Sequence, residues 1–308
     1  MSELSAESLA ARRRATLIGS SAIGMWSTLT VLVTFIPSVP PFQLVAVTFF
    51  IGSCLALVKW YLAGQCSVAR LIHPGRVWAL GLGGLFGYHA FYFAALRLAP
   101  PLEASLINYL WPLLIVVLSA LLPGEKLRWF HGAGALMGLA GTALLVGGQG
   151  ALSFSGEHLA GYLCALGAAV TWAGYSVLSR RLAHVPSDSV GGFMAATALL
   201  AFIAHELFET TYWPEGGLAW AAVIALGLGP LGLAFFVWDW GVKQGDIRVL
   251  GAASYAAPLI STLLLLASGR GEATWQVLGA LALIVGGAAL AAREMLFARR
   301  DSSAPEIP

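Results

Sequence analysis

Charge is scarce in this chain. Only 10% of its 308 residues are Asp, Glu, Lys or Arg, against about 25% in ordinary soluble domains. Cysteine is scarcer still. Cys54, Cys66 and Cys164 are the three in the chain, and none belongs to a CxxC pair. A disulfide framework and a metal site are therefore not expected, and packing is the expected role of all three. No basic patch interleaved with aromatics is present, so nucleic acid is not a partner class. There is no HExxH, no paired acidic metal motif and no Ser/His pair placed on facing helices. An intramembrane enzyme is thus not expected, and no cofactor or metal is implied.

What the chain has in abundance is apolar sequence, at 58%. A helix needs about 20 mostly apolar residues to cross a bilayer core of about 30 Å. Runs of that size fall near 15–35, 41–62, 77–98, 102–122, 130–147, 158–180, 187–209, 218–242, 247–267 and 274–297. They are too long, and too uniform in polarity, for barrel strands. The first run follows Arg12-Arg13-Arg14 and could be mistaken for a secretory leader. It is longer than the usual apolar core of about 7–15 residues and lacks an A-x-A-like site, so it reads as a retained span. Ten spans with both termini cytoplasmic place every Lys and Arg inside except Arg97 and Arg270, as the positive-inside rule requires. The expectation is an all-α, multi-pass protein of the inner membrane, embedded in lipid.

An internal repeat divides the chain into halves at about 1–150 and 151–308. A constant offset of 146 aligns 79–122 with 225–268 without a gap. It pairs Gly81 with Gly227, Gly83 with Gly229, Arg97 with Lys243, Tyr109 with Tyr255 and Pro112 with Pro258. Because five is odd, two five-span halves enter the bilayer from opposite sides. Inverted repeats of this kind recur in secondary transporters and suit alternating access.

Aromatics at span ends mark the interfaces. Others lie at mid-span: Trp26, Tyr88, Tyr92, Tyr109, Trp111, Trp172 and Tyr255. A phenol or indole at that depth needs a polar partner or a wet cavity. Packing accounts for any one of them singly; seven at similar depth in both halves point to a shared cavity. Asn108 stands three residues from Trp111, and Pro112 and Pro258 break the helices beside Asn108 and Ser254. Paired breaks in opposed halves point to a transport site. His89 is the only mid-span histidine, and it could bind solute, titrate or be structural. Of these, solute binding is preferred, since a lone ionisable group makes a poor proton relay. Glu103 is expected to offset a helix dipole, and Asp239 to pair with Lys243 four residues on. Gly134 and Gly138 form a GxxxG that suits internal packing or a dimer face; packing, and a monomer, is the expectation. No Lys or Arg lies at mid-span, so phosphate esters are poor candidates. A neutral or zwitterionic aromatic solute fits better.

The stretches Leu98–Pro112, Gly124-Glu125-Lys126 and Gly251–Pro258 resemble the drug/metabolite transporter superfamily in its EamA-like branch, over essentially the whole chain. Within that branch, Asn108-Tyr109-Leu110-Trp111-Pro112 looks like the YddG-type aromatic amino acid exporters. A second Gly-Glu motif, Gly269-Arg270-Gly271-Glu272, is displaced by one residue, which weakens a role for Glu272. The resemblance implies export of aromatic and other neutral amino acids by alternating access. The candidate binding residues are Trp26, Tyr88, His89, Tyr92, Asn108, Tyr109, Trp111, Trp172, Ser254 and Tyr255. An exporter of other small metabolites or drugs on the same fold is the alternative.

Overall fold

The computed structural model describes residues 3–64, 71–148, 150, 152–267 and 274–294. Cys66 and the stretch 269–272 lie outside the described residues. Among those described there is no strand. Among the described residues nine helices are long and apolar enough to cross a membrane. They are α1 (Glu7–Val33), α2 (Pro41–Leu62), α3 (Gly75–Leu98), α4 (Pro101–Ser119), α5 (Trp129–Gly147), α6 (Gly156–Arg181), α7 (Ser189–Phe208), α8 (Gly216–Gln244) and α9 (Ile247–Ala267). A tenth apolar helix, α10 (Trp275–Ala291), has 17 residues. That is about 26 Å at 1.5 Å per residue, slightly under a bilayer core. Helices dominate because lipid offers backbone N–H and C=O groups no partner, and a helix satisfies them internally.

Four of these helices are interrupted, and the interruptions match between the halves. Helix α3 is π-helical over Gly83–Gly87, and α8 over Gly229–Leu233, the same positions at the offset of 146. Helix α4 is α-helical over Pro101–Asn108 and again over Trp111–Ser119, with a turn between. Helix α9 is α-helical over Ile247–Ala253 and then Ala256–Ala267. Pro112 and Pro258 both fall in the first turn after the break, where a missing N–H removes no helical bond.

The packing repeats as well. Helix α1 packs on α8 as α6 packs on α3; α4 packs on α6 as α9 packs on α1; α2 pairs with α7 and α5 with α10. Adding five to each helix number, cyclically, maps this set of contacts onto itself. The α5–α10 seam is where the GxxxG lies. A Cβ on Gly134 would strike the carbonyl oxygen of Gly287, and one on Gly138 the ring of Tyr255. The motif is therefore used inside the chain. Helix α2 begins after extended Pro40. Its free N–H groups at Phe42 and Gln43 donate to the Glu209 carboxylate at 3.0 and 3.1 Å, so the end of α7 caps the start of α2.

Candidate functional site: a central aromatic cavity

A cavity of about 250 Å³ lies between α1, α3, α4, α6, α8 and α9. Small-molecule clefts start at about 300 Å³, so this space suits one compact solute. Trp26, Tyr88, His89, Tyr92, Asn108, Tyr109, Trp111 and Trp172 line it. The other two residues singled out in the sequence do not. Ser254 donates its hydroxyl to the Leu250 carbonyl at 2.7 Å and is fully buried. Tyr255 lies against Gly138 and accepts the N–H of Leu113 at 3.2 Å. That N–H is one of the free donors opened by the break in α4, so Tyr255 seals the break from the opposite half. Its repeat counterpart, Tyr109, has no such task and lines the cavity.

The walls are built on helical spacing. Tyr88 and Tyr92, four residues apart on α3, lie stacked at 6.0 Å with planes 10° apart. Tyr92 and Ser105 share a hydrogen bond of 3.3 Å, and the Asn108 amide donates to the Tyr88 hydroxyl at 3.2 Å. The Asn108 Oδ1 atom is buried and has no partner among the described residues. Such an acceptor at a cavity edge is costly unless a ligand or water meets it. His89 contacts the Leu85 carbonyl through Nδ1 at 2.7 Å. In the neutral ring that makes Nδ1 the donor and leaves Nε2 an acceptor. Leu85 belongs to the π-helical turn, which aims its carbonyl at the ring.

The floor is a cluster of indoles. Trp26 contacts Trp172 edge to face at 5.7 Å, Trp111 at 6.3 Å and Trp238 at 5.1 Å. Trp26 and Trp172 are themselves 146 residues apart, so the two halves meet here through equivalent side chains. Trp238 donates its N–H to Ser176 at 3.1 Å. The sequence reading missed Phe235, which also lines the cavity. The repeat carried the signal, since Phe235 is the counterpart of His89. Leu29, Thr30, Leu231, Ala257 and Ser261 complete the lining; small hydroxyl and aliphatic residues of this kind are too common in membrane helices to be marked in a sequence.

The ends differ. The cavity continues along α1 toward Leu29 and Thr30. Toward the other end of α1, Arg12 lies about 20 Å from Trp26 at 1.5 Å per residue. There Glu125 pairs with Arg12 at 3.0 Å, Arg180 at 2.7 Å and Arg248 at 3.4 Å. Asp246 pairs with Arg12 at 3.1 Å and Arg248 at 2.7 Å. These five groups tie α1, the α4–α5 connection, α6 and the α8–α9 connection together. Burial alone would raise the Asp246 carboxyl. The Arg248 hydrogen bond and the charges of Arg12 and Arg248 outweigh it and hold the carboxyl below its ordinary value. Glu103, read as a helix-dipole residue, also accepts the Ser153 N–H at 2.7 Å and so anchors the connection between the halves. Asp239 and Lys243 form the expected i,i+4 pair at 2.7 Å.

Interrupted membrane-crossing helices around one solute-sized cavity, arranged as two equivalent halves, define an integral membrane protein of the repeat-built transporter class. The sequence profile of the EamA-like transporter family matches residues 14–147 and again 159–293. The chain belongs to that family. It is 53% identical over 290 residues to "Aromatic amino acid exporter YddG" of Ancylobacter novellus, covering 94% of this chain and 99% of that one. It is 26% identical over 293 residues to the protein of the same description from Salmonella typhimurium, covering 89% and 95%. A solved structure titled "Crystal structure of protein" superposes with a TM-score of 0.87 at 53% identity, covering 91% and 98%.

Proposed function

We propose that this chain exports aromatic, and other neutral, amino acids across the inner membrane by alternating access through the central cavity. One observation carries the reading: the residues around a cavity of about 250 Å³ are aromatic, hydroxyl, amide or apolar, with no Lys, Arg, Asp or Glu among them. Such walls suit a flat apolar side chain. The Asn108 Oδ1 atom and the broken ends of α4 offer dipoles to the solute's charged head group. High identity to an aromatic amino acid exporter supports the same substrate class. The experiment is counterflow of L-tryptophan in proteoliposomes. Alanine at Tyr88, Tyr92, Tyr109, Trp111 or Trp172 removes a ring contact worth about 0.5–1.5 kcal/mol. Each change is expected to raise the half-saturating concentration about two- to twelve-fold, with insertion intact. Wild-type kinetics in all five would remove these residues from the site.

The same proposal makes all ten helices cross the membrane, with both termini cytoplasmic and the halves, 1–150 and 151–308, of opposite orientation. The five-group ion network then shuts the cytoplasmic end, and the cavity faces the periplasm. A single chain is the transporting unit. Cysteines placed at Gly150 and Gly216 are expected to react with an impermeant thiol reagent from the periplasmic side, and ones at Gly64 and Ser187 from the cytoplasmic side. Cytoplasmic labelling at Gly150 would break both the span count and the inverted repeat.

A further inference from the structure

The central cavity holds no formal charge, yet an amino acid carries an ammonium and a carboxylate on one carbon. Asp239 and Lys243 line a second internal space, of about 10 Å³, room for no more than a single water. The two cavities are one helical turn apart. Trp172 lines the first and Tyr175 the second, with rings 5.3 Å apart on α6. Phe235 and Asp239 stand in the same relation on α8. Between them Trp172 and Trp238 stack at 6.2 Å. The pair is almost wholly buried, and Lys243 also donates to the Val185 carbonyl at 2.9 Å.

We propose that Asp239 and Lys243 form a second recognition site, which takes the zwitterionic head group of the amino acid as it enters from the cytoplasmic end. This rests on the transport function proposed above. A buried ion pair gives a fold little that well-packed apolar residues would not give. The repeat makes that point within this chain: the counterparts of Asp239 and Lys243 in the first half are Phe93 and exposed Arg97, and α3 packs on α6 without such a pair. In the absence of solute Lys243 Nζ lies 2.7 Å from Asp239 Oδ2, and the paired side chains close the space. When the cytoplasmic end opens, the solute ammonium replaces Lys243 on Asp239, and its carboxylate replaces Asp239 on Lys243. One ion pair becomes two, no charge is left unmet, and the aromatic side chain points at the Trp172–Trp238 layer. A ligand bearing only one of the two charges leaves one partner unmet, so the site selects zwitterions. The differential affinity of the solute for the opened state draws the carrier open on that side.

The test uses the full-length protein, oriented in proteoliposomes, with inhibition of L-tryptophan transport measured from the Lys243 side. The probes are L-tryptophan, tryptamine, which lacks the carboxylate, and indole-3-propionate, which lacks the ammonium. In the wild type, L-tryptophan is expected to bind at least about ten-fold more tightly than either analogue, as charged hydrogen bonds imply. Asp239→Asn is expected to remove the advantage over indole-3-propionate, and Lys243→Met the advantage over tryptamine. The double variant leaves no buried charge alone, so it guards against misfolding, and it is expected to bind all three about equally. The pattern of analogue losses is what a purely structural ion pair would not produce. Equal weakening of all three probes, or no change in the double variant, overturns the second site alone. Absence of wild-type L-tryptophan transport from either side overturns the proposed function and this site with it.

Discussion

Replacing Glu125 with alanine is expected to destabilise the protein by at most about 3–5 kcal/mol, the result for a fully buried ion pair, because Arg12 and Arg180 in this cluster are 36% and 19% exposed. Glu125 is the hub: Arg12, Arg180 and Arg248 all reach its carboxylate, and its side chain is only 6% exposed. Without it Arg180 keeps only backbone carbonyls as partners, and the one carboxylate left to Arg12 and Arg248 is that of Asp246. The four segments they tie would lose their common anchor, and the closed end would open. Two measurements check this. The melting temperature of the detergent-purified variant should fall by several degrees or more. A cysteine replacing buried Ser179, in a chain with its own cysteines changed to serine, should gain reactivity from the end that carries the network. Unchanged melting and labelling would show that the cluster neither holds nor closes that end. The pH dependence follows from Asp246. Its carboxyl is depressed in the folded protein, so its contribution is fully present above the unfolded value of about 3.9 and is lost as pH falls through the lower, folded value. Stability owed to this group is therefore constant across neutral pH and fails only in acid below about pH 4.

An equally large effect is expected from Gly19→Leu, set against Gly24→Leu on the same helix. A Cβ on Gly19 would lie 2.7 Å from the Cα of Gly241 on α8, and one on Gly241 2.5 Å from the Cα of Gly19. Both sides of this contact are backbone, so no side-chain rotation can relieve it. Leucine must drive α1 and α8 apart, and α1 carries both Trp26 and Arg12. Overpacking a close contact costs about 1–3 kcal/mol where side chains can yield, and more is expected where only backbone is present. Gly24 has nothing within 4 Å of its Cβ position and is exposed, so leucine there should be silent. The check is the yield of monodisperse protein in fluorescence-detected gel filtration, with tryptophan counterflow on whatever survives. Equal yields for the two variants would contradict the close approach.

Much of this molecule is decided by one-dimensional information. Ten apolar runs, their basic flanks and the offset of 146 are read directly along the chain, and the helical form of the runs follows from the requirement that every backbone group in lipid be bonded within its own helix. Nine of the runs coincide with helices long enough to cross, and the last is a shorter helix among the described residues. The family is also visible in the chain, since Asn108–Pro112 and Gly124-Glu125-Lys126 carry it. Position along a run is equally legible: eight of the ten residues singled out in the sequence meet around one cavity.

Rotation about the helix axis is another matter, and there only tertiary structure decides. Tyr109 and Tyr255 occupy the same repeat position, yet one lines the cavity and the other accepts the Leu113 N–H at the break in α4. The π-helical turns at Gly83–Gly87 and Gly229–Leu233 leave no signature that distinguishes them from other glycine-rich turns. Arg12, Glu125, Arg180, Asp246 and Arg248 are spread over more than two hundred positions and read singly as interfacial charges. Their meeting depends on four helix ends converging. Sequence orders the groups along each helix, because the rise per residue is constant. Which of them touch depends on how the two halves close on each other, and that is a property of the packed chain alone.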